Sequence, residues 1–158
     1  MQLGSVQSLF RYPVKSLRGN ACDQLAFDRR GAHLDRLFSV VTADGKLGSH
    51  KGTPWFRALP GLFDLQAEVV GEQVQVLLPD GRRLSSDAPE LATAITEIVG
   101  QPVSLAKEAD QSHFDDGATH LLTTSSLQWL SSRLPDSQVD PRRFRPNIVI
   151  NSTAPGLA

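Results

Sequence analysis

Two segments, one near each end of the chain, set cationic side chains beside neutral hydrogen-bonding groups and a proline. The first is Tyr12-Pro13-Val14-Lys15-Ser16-Leu17-Arg18-Gly19. The second is Arg142-Arg143-Phe144-Arg145-Pro146-Asn147-Ile148-Val149-Ile150. An ammonium or a guanidinium fork suits phosphate, and Ser, Asn and backbone N–H groups add uncharged donors. Brought together by the fold, the two segments would make a site for a phosphorylated ligand. In the second, period-two alternation would put Arg145 and Asn147 on one face of a strand, with Phe144 and Ile148 on the other. Arg142 and Arg143 read as surface groups, and Arg18 as the rim of the first segment.

Other residues offer less. Arg36 precedes an apolar run and would either face a ligand or pair with Asp35 or Asp28. Thr123, Thr124 and Ser125 stand at a strand-to-helix junction, where exposed N–H groups attract anions and one hydroxyl caps the helix. His33, His50, His113 and His120 lack metal-ligand spacing, so no metal ligand is assigned; His113-Phe-Asp-Asp116 offers an imidazole and two carboxylates that could bind a divalent ion or shuttle protons, but it falls in a polar stretch. Trp55 and Trp129 read as packing residues and Cys22 as an incidental thiol. No Gly-rich nucleotide loop and no Ser-His-Asp arrangement is present.

The elements that must carry these groups are mostly strands. Val6 to Phe10 and Leu37 to Val41 are apolar runs, and Thr42-Ala-Asp-Gly45 reads as a hairpin turn. Phe63, Leu65, Ala67 and Val69 alternate with polar residues, and Val74 and Val76 continue the period after Gly71-Glu72. Pro79-Asp80-Gly81 marks a further turn. Closely spaced short strands predict a small barrel or sandwich. Asp87-Ala-Pro-Glu90 has the form of a capping box before a helical stripe of Leu91, Ile95, Ile98 and Val99, ended by Gly100. A second helix is predicted from near Ser125, with Leu127, Leu130 and Leu134 facing the core and Pro135 as its stop. Lys107 to Gly117 is polar and aperiodic and reads as a linker.

Composition sets the outer bounds. With 40% apolar and 21% charged residues, the chain is ordinary for a globular protein. Its formal net charge of −1 gives no global field for nucleic acid or anionic membrane. One cysteine excludes an internal disulfide framework and a multi-cysteine zinc site. The start has no signal-peptide pattern and no apolar run reaches the ~20 residues of a membrane span. A cytoplasmic protein is expected.

The Tyr-Pro-Val-Lys-Ser and Phe-Arg-Pro-Asn sequences resemble those of the MOSC family. Leu34-Asp35-Arg36-Leu37-Phe38 resembles its Asp-Arg-aromatic strand, with Leu37 where an aromatic is frequent. His120 to Leu127 resembles the segment that opens the MOSC domain. The four matches come in the family's order and span nearly the whole chain. They are most similar to members with an N-terminal β-barrel domain, the group of the mitochondrial amidoxime reducing component and its bacterial counterparts. The resemblance implies a mainly β fold with some α: a MOSC N-terminal β-barrel domain over residues 1–110, then the opening strand–helix–strand of a MOSC domain over 111–158. Family members continue for about another hundred residues, a domain-sized piece, which carries a cysteine ligand to molybdenum. The chain is therefore expected to be a fragment or truncated product that lacks that ligand and holds little molybdenum by itself, with no catalytic residue of its own.

The resemblance further implies a molybdenum cofactor in the intact protein and reduction of N-hydroxylated small molecules. Electrons would come from a redox partner protein or a fused iron–sulfur domain. Lys15, Ser16, Arg36, Thr123, Thr124, Arg145 and Asn147 would hold the pterin and its phosphate, with Lys15, Arg36, Arg145 and Asn147 converging on one pocket. A sulfur-handling role, as in molybdenum-cofactor sulfurases, is the enzymatic alternative. A non-catalytic module that binds a phosphorylated or pterin ligand is the alternative from another class.

Overall fold

The computed structural model describes residues 4–152. The expectations placed on the first three residues and on the end of the chain lie outside the described residues. In chain order the strands are β1 (Gly4–Arg11), β2 (Asn20–Cys22), β3 (Phe27–Asp28), β4 (Gly31–Ala32), β5 (Phe38–Thr42), β6 (Leu47–Ser49), β7 (Phe56–Ala58), β8 (Gln66–Val70), β9 (Gln73–Leu77), β10 (Arg83–Ser85), β11 (Val103–Lys107), β12 (Leu121–Thr123) and β13 (Ile148–Ser152). Helix α1 (Leu91–Val99) lies between β10 and β11, and α2 (Thr124–Arg133) follows β12. Short 3-10 turns occupy Leu62–Asp64 and Pro141–Phe144. Strand makes up 36% and helix 17%, so the chain is mainly β, as its alternation predicts.

The chain divides into two compact units, each discontinuous in sequence. The first contains the described residues 4–11, 21–33 and 117–152, and the second contains 12–20 and 34–116. We call them the terminal unit and the central unit.

The central unit holds two sheets, ordered β10-β9-β8 and β11-β5-β6-β7. Its hairpins follow the sequence signals closely. Antiparallel β8 and β9 pair Val69 with Val74 across the Gly71-Glu72 turn. The 42–45 turn closes with Gly45 N–H donating to the Thr42 carbonyl (2.8 Å), at a positive φ of 77° that glycine adopts without strain. Alternate residues of these strands and one face of α1 meet in a continuous apolar cluster that includes Val40, Ala67, Val76, Leu91 and Ile95. Val14 and Leu17, from the first cationic segment, belong to the same cluster and are fully buried.

Three local expectations change. Phe63 is not the first residue of a strand: it lies in the 3-10 turn, half-exposed, and the strand starts at Gln66. The Asp87–Glu90 capping box does not form, because turns closed by Ala88 N–H on Ser85 and Leu91 N–H on Ala88 carry the chain up to the helix. Glu90 is then the N-cap, with αR backbone and no side-chain cap, while Gly100 ends the helix in the left-handed region as expected. Trp55 is not a packing residue; it is 72% exposed.

The terminal unit is built on one mixed sheet ordered β12-β13-β1-β2, with the small β3–β4 pair beside it in sequence. Antiparallel pairing of β1 with β13 joins the two ends of the described chain, Gly4 opposite Ser152, with a register shift between Val6 and Ser8. β12 runs parallel to β13. Helix α2 packs on this pair and buries Ser125, whereas Leu127 and Leu130 are only half-buried and Leu134 is exposed. Its predicted leucine stripe is thus a partly open face rather than core. Among the described residues, no helix is long and apolar enough to cross a membrane.

Candidate functional site

In the central unit the first cationic segment is held by backbone pairing and by its own apolar residues. Phe38 N–H donates to the Pro13 carbonyl, and Lys15 N–H donates to the Phe38 carbonyl (2.8 Å). Arg36 N–H donates to Tyr12 (2.8 Å), so segments 12–15 and 36–38 run side by side. Val14 and Leu17 anchor both sides of a tight turn, closed by Leu17 N–H on the Val14 carbonyl. Ser16, the third residue of that turn, has φ 64°. That position favours glycine or asparagine, so the buried neighbours must enforce it.

The turn carries Lys15 into a nearly dry position, 5% exposed. Its Nζ donates to the His113 carbonyl (2.9 Å) and pairs with Asp115 Oδ1. It also lies 4.8 Å from the centre of the Phe56 ring, the geometry of a cation–π contact. His113 is itself buried and ties Lys15 to Arg36: its Nδ1 lies 3.2 Å from the Arg36 carbonyl oxygen. Arg36 pairs with Asp35 and stacks over the Tyr12 ring at 4.7 Å. Asp35 is fully buried and accepts from Tyr12 N–H at 2.6 Å, which fixes the pair to the first segment. Arg36 is not on a strand: at φ 47° it precedes β5, so alternation does not govern where it points. Arg18 is exposed and donates to the Asp64 carbonyl (3.0 Å).

Sequence reasoning brought Lys15, Ser16 and Arg36 forward but missed Lys51 and Phe56, which complete this corner, and saw Asp115 only within the His113–Asp116 cluster, not as the partner of Lys15. Lys51 Nζ lies 3.8 Å from Asp115 Oδ2 and 5.4 Å from the Phe56 ring centre. The stretch around Asp115 reads as a linker because it lacks periodicity. Only the lone His113 within it signalled a buried anchor.

In the terminal unit the second segment behaves differently from the alternation argument. Asp140 caps the Pro141–Phe144 turn, accepting from Arg142 N–H (2.8 Å) and from the Arg142 guanidinium. The Arg142 side chain is chiefly responsible for holding the Asp140 carboxyl below its ordinary range, and Arg142 N–H adds to it. Arg142 and Arg143 are exposed, as expected, and Arg143 donates to the Gln138 carbonyl. Arg145 then ends the turn in the left-handed region, φ 54° and ψ 46°. It therefore lies outside the strand, which begins at Ile148, and does not share a strand face with Asn147. A residue before proline ordinarily favours extended backbone, so this conformation is doubly uncommon.

Asn147 is fully buried. Its Oδ1 accepts from His120 N–H (3.1 Å), its N–H donates to the His120 carbonyl (2.8 Å), and its carbonyl accepts from Phe10 N–H (2.9 Å). It clips the entries of β12 and β13 to the end of β1. At the α2 terminus the capping hydroxyl is that of Thr123, whose Oγ1 accepts from Ser126 N–H at 3.1 Å. Thr124 Oγ1 instead accepts from Ser152 N–H (3.2 Å), linking the helix start to β13. The seven candidates thus fall into two sets: Lys15, Ser16 and Arg36 in the central unit, and Thr123, Thr124, Arg145 and Asn147 in the terminal unit.

These features define the class: a mainly β chain with a buried, acid-paired lysine on a Tyr-Pro-Val-Lys-Ser turn and a clipped Phe-Arg-Pro-Asn entry to its last described strand. The family model of the MOSC N-terminal beta barrel domain matches residues 3–135, and the chain belongs to the MOSC family. No curated protein matches the chain.

Proposed function

We propose that the chain is the pterin- and phosphate-binding part of a molybdenum-cofactor oxidoreductase that reduces N-hydroxylated compounds. The observation that carries this reading is backbone strain. Among the described residues, four non-glycine residues have positive φ: Ser16, Leu34, Arg36 and Arg145. Three of them are candidate ligand residues, and Leu34 lies two residues from Arg36. Left-handed backbone costs an L-residue roughly 1–2 kcal/mol. Such costs persist where the surrounding structure imposes them and concentrate at binding sites.

The donors of each unit, taken separately, suit the phosphate and pterin end of the cofactor. Lys15 supplies a desolvated ammonium, Ser16 a hydroxyl on a rigid turn, and Arg36 and Arg145 guanidinium forks. Thr123 and Thr124 offer hydroxyls at a helix start, and Asn147 fixes the strand entry two residues beyond Arg145. Among the described residues, no group of three or more His, Cys, Asp or Glu side chains is placed to hold a metal ion. Removal of oxygen from an N–OH group is the chemistry the molybdenum group supplies when bound. The chain's residues orient the pterin and neutralise its phosphate. Electrons would come from a partner protein or an iron–sulfur domain, and a cytoplasmic setting suits that supply.

The test is pterin content per protein after identical purification from a cofactor-producing host. Arg145→Ala should lose severalfold more pterin than Arg142→Ala. A charge-assisted bond at a partly desolvated phosphate is worth on the order of 1.5–3 kcal/mol, against less than about 1 for a solvated rim charge. Equal retention, with both variants melting as the parent does, would make the second segment structural and remove the main support for this reading.

A further inference from the structure

The Lys15 corner holds more charge than a buried lysine needs for folding. The Asp115 carboxylate lies between two ammonium groups, Oδ1 at Lys15 and Oδ2 at Lys51. Both ammonium groups share the Phe56 ring. The three charged side chains differ sharply in exposure: 6% for Lys15, 61% for Lys51 and 54% for Asp115. The cation is dry, and the anion that pairs with it faces solvent. A buried ammonium without a counter-charge is costly, so some oxyanion must stand there.

The backbone that leads to Asp115 is tied to its neighbours by hydrogen bonds. Glu108 N–H donates to the Leu37 carbonyl (2.7 Å), and Glu108 Oε2 accepts from His113 N–H (2.8 Å). His113 is buried, whereas Asp115 and Asp116 are exposed. Phe114 N–H donates to Ser112 Oγ (3.2 Å), so the segment that carries Asp115 is held next to an exposed carboxylate.

We propose that Asp115 is a resident counter-anion seated where a phosphate-type oxyanion binds between Lys15 and Lys51, and that ligand entry exchanges one anion for the other. The inference rests on the reading of Lys15 as an anion-binding cation. It adds Lys51 as the second cation and Asp115 as the group that is displaced. A phosphate can place two oxygens where the two carboxylate oxygens stand, with charge to match both ammonium groups. Asp115 thereby stabilises the empty site and weakens affinity for small anions, so that only a ligand with further contacts displaces it.

Inorganic pyrophosphate is the probe, titrated calorimetrically into the full chain at low ionic strength. Asp115→Asn should bind it at least fivefold more tightly than the parent. Asp116→Asn, which removes a neighbouring exposed charge, should change binding less than twofold, and Asp115→Glu should stay near the parent. Lys51→Gln should weaken binding severalfold, and Lys15→Gln should abolish it. Pyrophosphate should also speed amide hydrogen exchange at residues 114–116 of the parent. Tightening of equal size in Asp115→Asn and Asp116→Asn would reduce the effect to general charge and overturn the inference. So would unchanged or weaker binding by Asp115→Asn while Lys15→Gln still abolishes it, which would leave the anion-site reading intact. Binding indifferent to Lys15→Gln, or absent from every variant, would overturn both. Thermal melting of each variant distinguishes lost binding from lost fold.

Discussion

The two cationic segments are held in place by opposite means. In the central unit the Lys15 turn is anchored by apolar burial: Val14 and Leu17 are part of the continuous core, and the polar groups ride on them. Every member of that core lies in the central unit. In the terminal unit buried apolar residues are few, chiefly Phe10, Ala32 and Val149, and the Arg145 segment is fixed by the hydrogen bonds of a buried amide, Asn147. The cations differ as well. All four lysines (Lys15, Lys46, Lys51 and Lys107) lie in the central unit, and the terminal unit uses arginine alone. A compact ammonium can be pressed into a core beside one carboxylate and one carbonyl. A guanidinium fork needs room for several acceptors and suits a thinner, more polar setting. The same task, holding a cation in an uncommon backbone conformation, is met by packing in one unit and by directional bonds in the other.

The largest expected effect tests the apolar anchor. Leu17→Ala removes a fully buried side chain that sits one residue beyond Ser16. A cavity at such a position costs about 2–5 kcal/mol. It also frees the turn that imposes the left-handed Ser16. Chemical denaturation should therefore show a loss of about 3 kcal/mol. Tryptic cleavage after Lys15 should become faster than global unfolding accounts for. Loss of stability without that local cleavage would mean that the Pro13 and Phe38 backbone bonds hold the turn by themselves.

How far the sequence predicted this arrangement follows from the same contrast. Where the backbone is continuously extended, period two reads correctly: β8 and β9, the 42–45 hairpin and β5 fall close to their expected places. The start of α2 and the Gly100 stop are also legible, because capping chemistry is local. Alternation misled at Arg36 and Arg145, both of which lie just outside a strand in left-handed backbone. At Arg36 the chain is held by distant partners, the Tyr12 carbonyl and the His113 ring, and no short window of sequence contains them. Trp55 failed for a related reason, since size and apolarity do not say which aromatic meets the core. The pairing of Asp115 was hidden for a third: two lysines 64 and 100 residues away leave no mark in the aperiodic stretch that holds the acid.

The polar anchor should be weaker than the apolar one. Asn147→Ala deletes the acceptor for His120 N–H and leaves space in a fully buried position. The missing bond costs roughly 1–3 kcal/mol, so a loss of about 2 kcal/mol is expected, less than for Leu17→Ala. Asn147→Asp keeps an acceptor but buries a charge, and should be no better than alanine. Hydrogen exchange gives the sharper reading: the Phe10 and His120 amides should lose protection first. If protection falls equally in both units, the buried amide supports the whole fold and not merely the strand entry.

The smallest effect compares one surface acid from each unit. Asp44 in the central unit accepts from the Thr42 hydroxyl and from Arg57, and its carboxyl is lowered from 3.8 to about 2. Asp140 in the terminal unit is lowered too, through the Arg142 side chain and Arg142 N–H. A carboxyl that is more acidic in the folded state than in the unfolded one stabilises the fold at pH above its unfolded value, here 3.8. That contribution fades as the pH falls through the folded value and is gone below it. Neither Asp44→Asn nor Asp140→Asn should therefore alter the pH dependence of stability above about pH 5. Both should flatten it between pH 4 and 2, where the parent loses these bonds. Asp44 is fully exposed, so its share should shrink on adding salt, as that of a screened surface pair does. Asp140 also caps a turn through a backbone N–H, a contact at hydrogen-bond range that added salt screens less. Acid titrations of melting temperature at low and high salt will separate the two. A salt response equal in both variants would show that Asp140 acts only as a charge and that its cap does not help to hold the Arg145 segment.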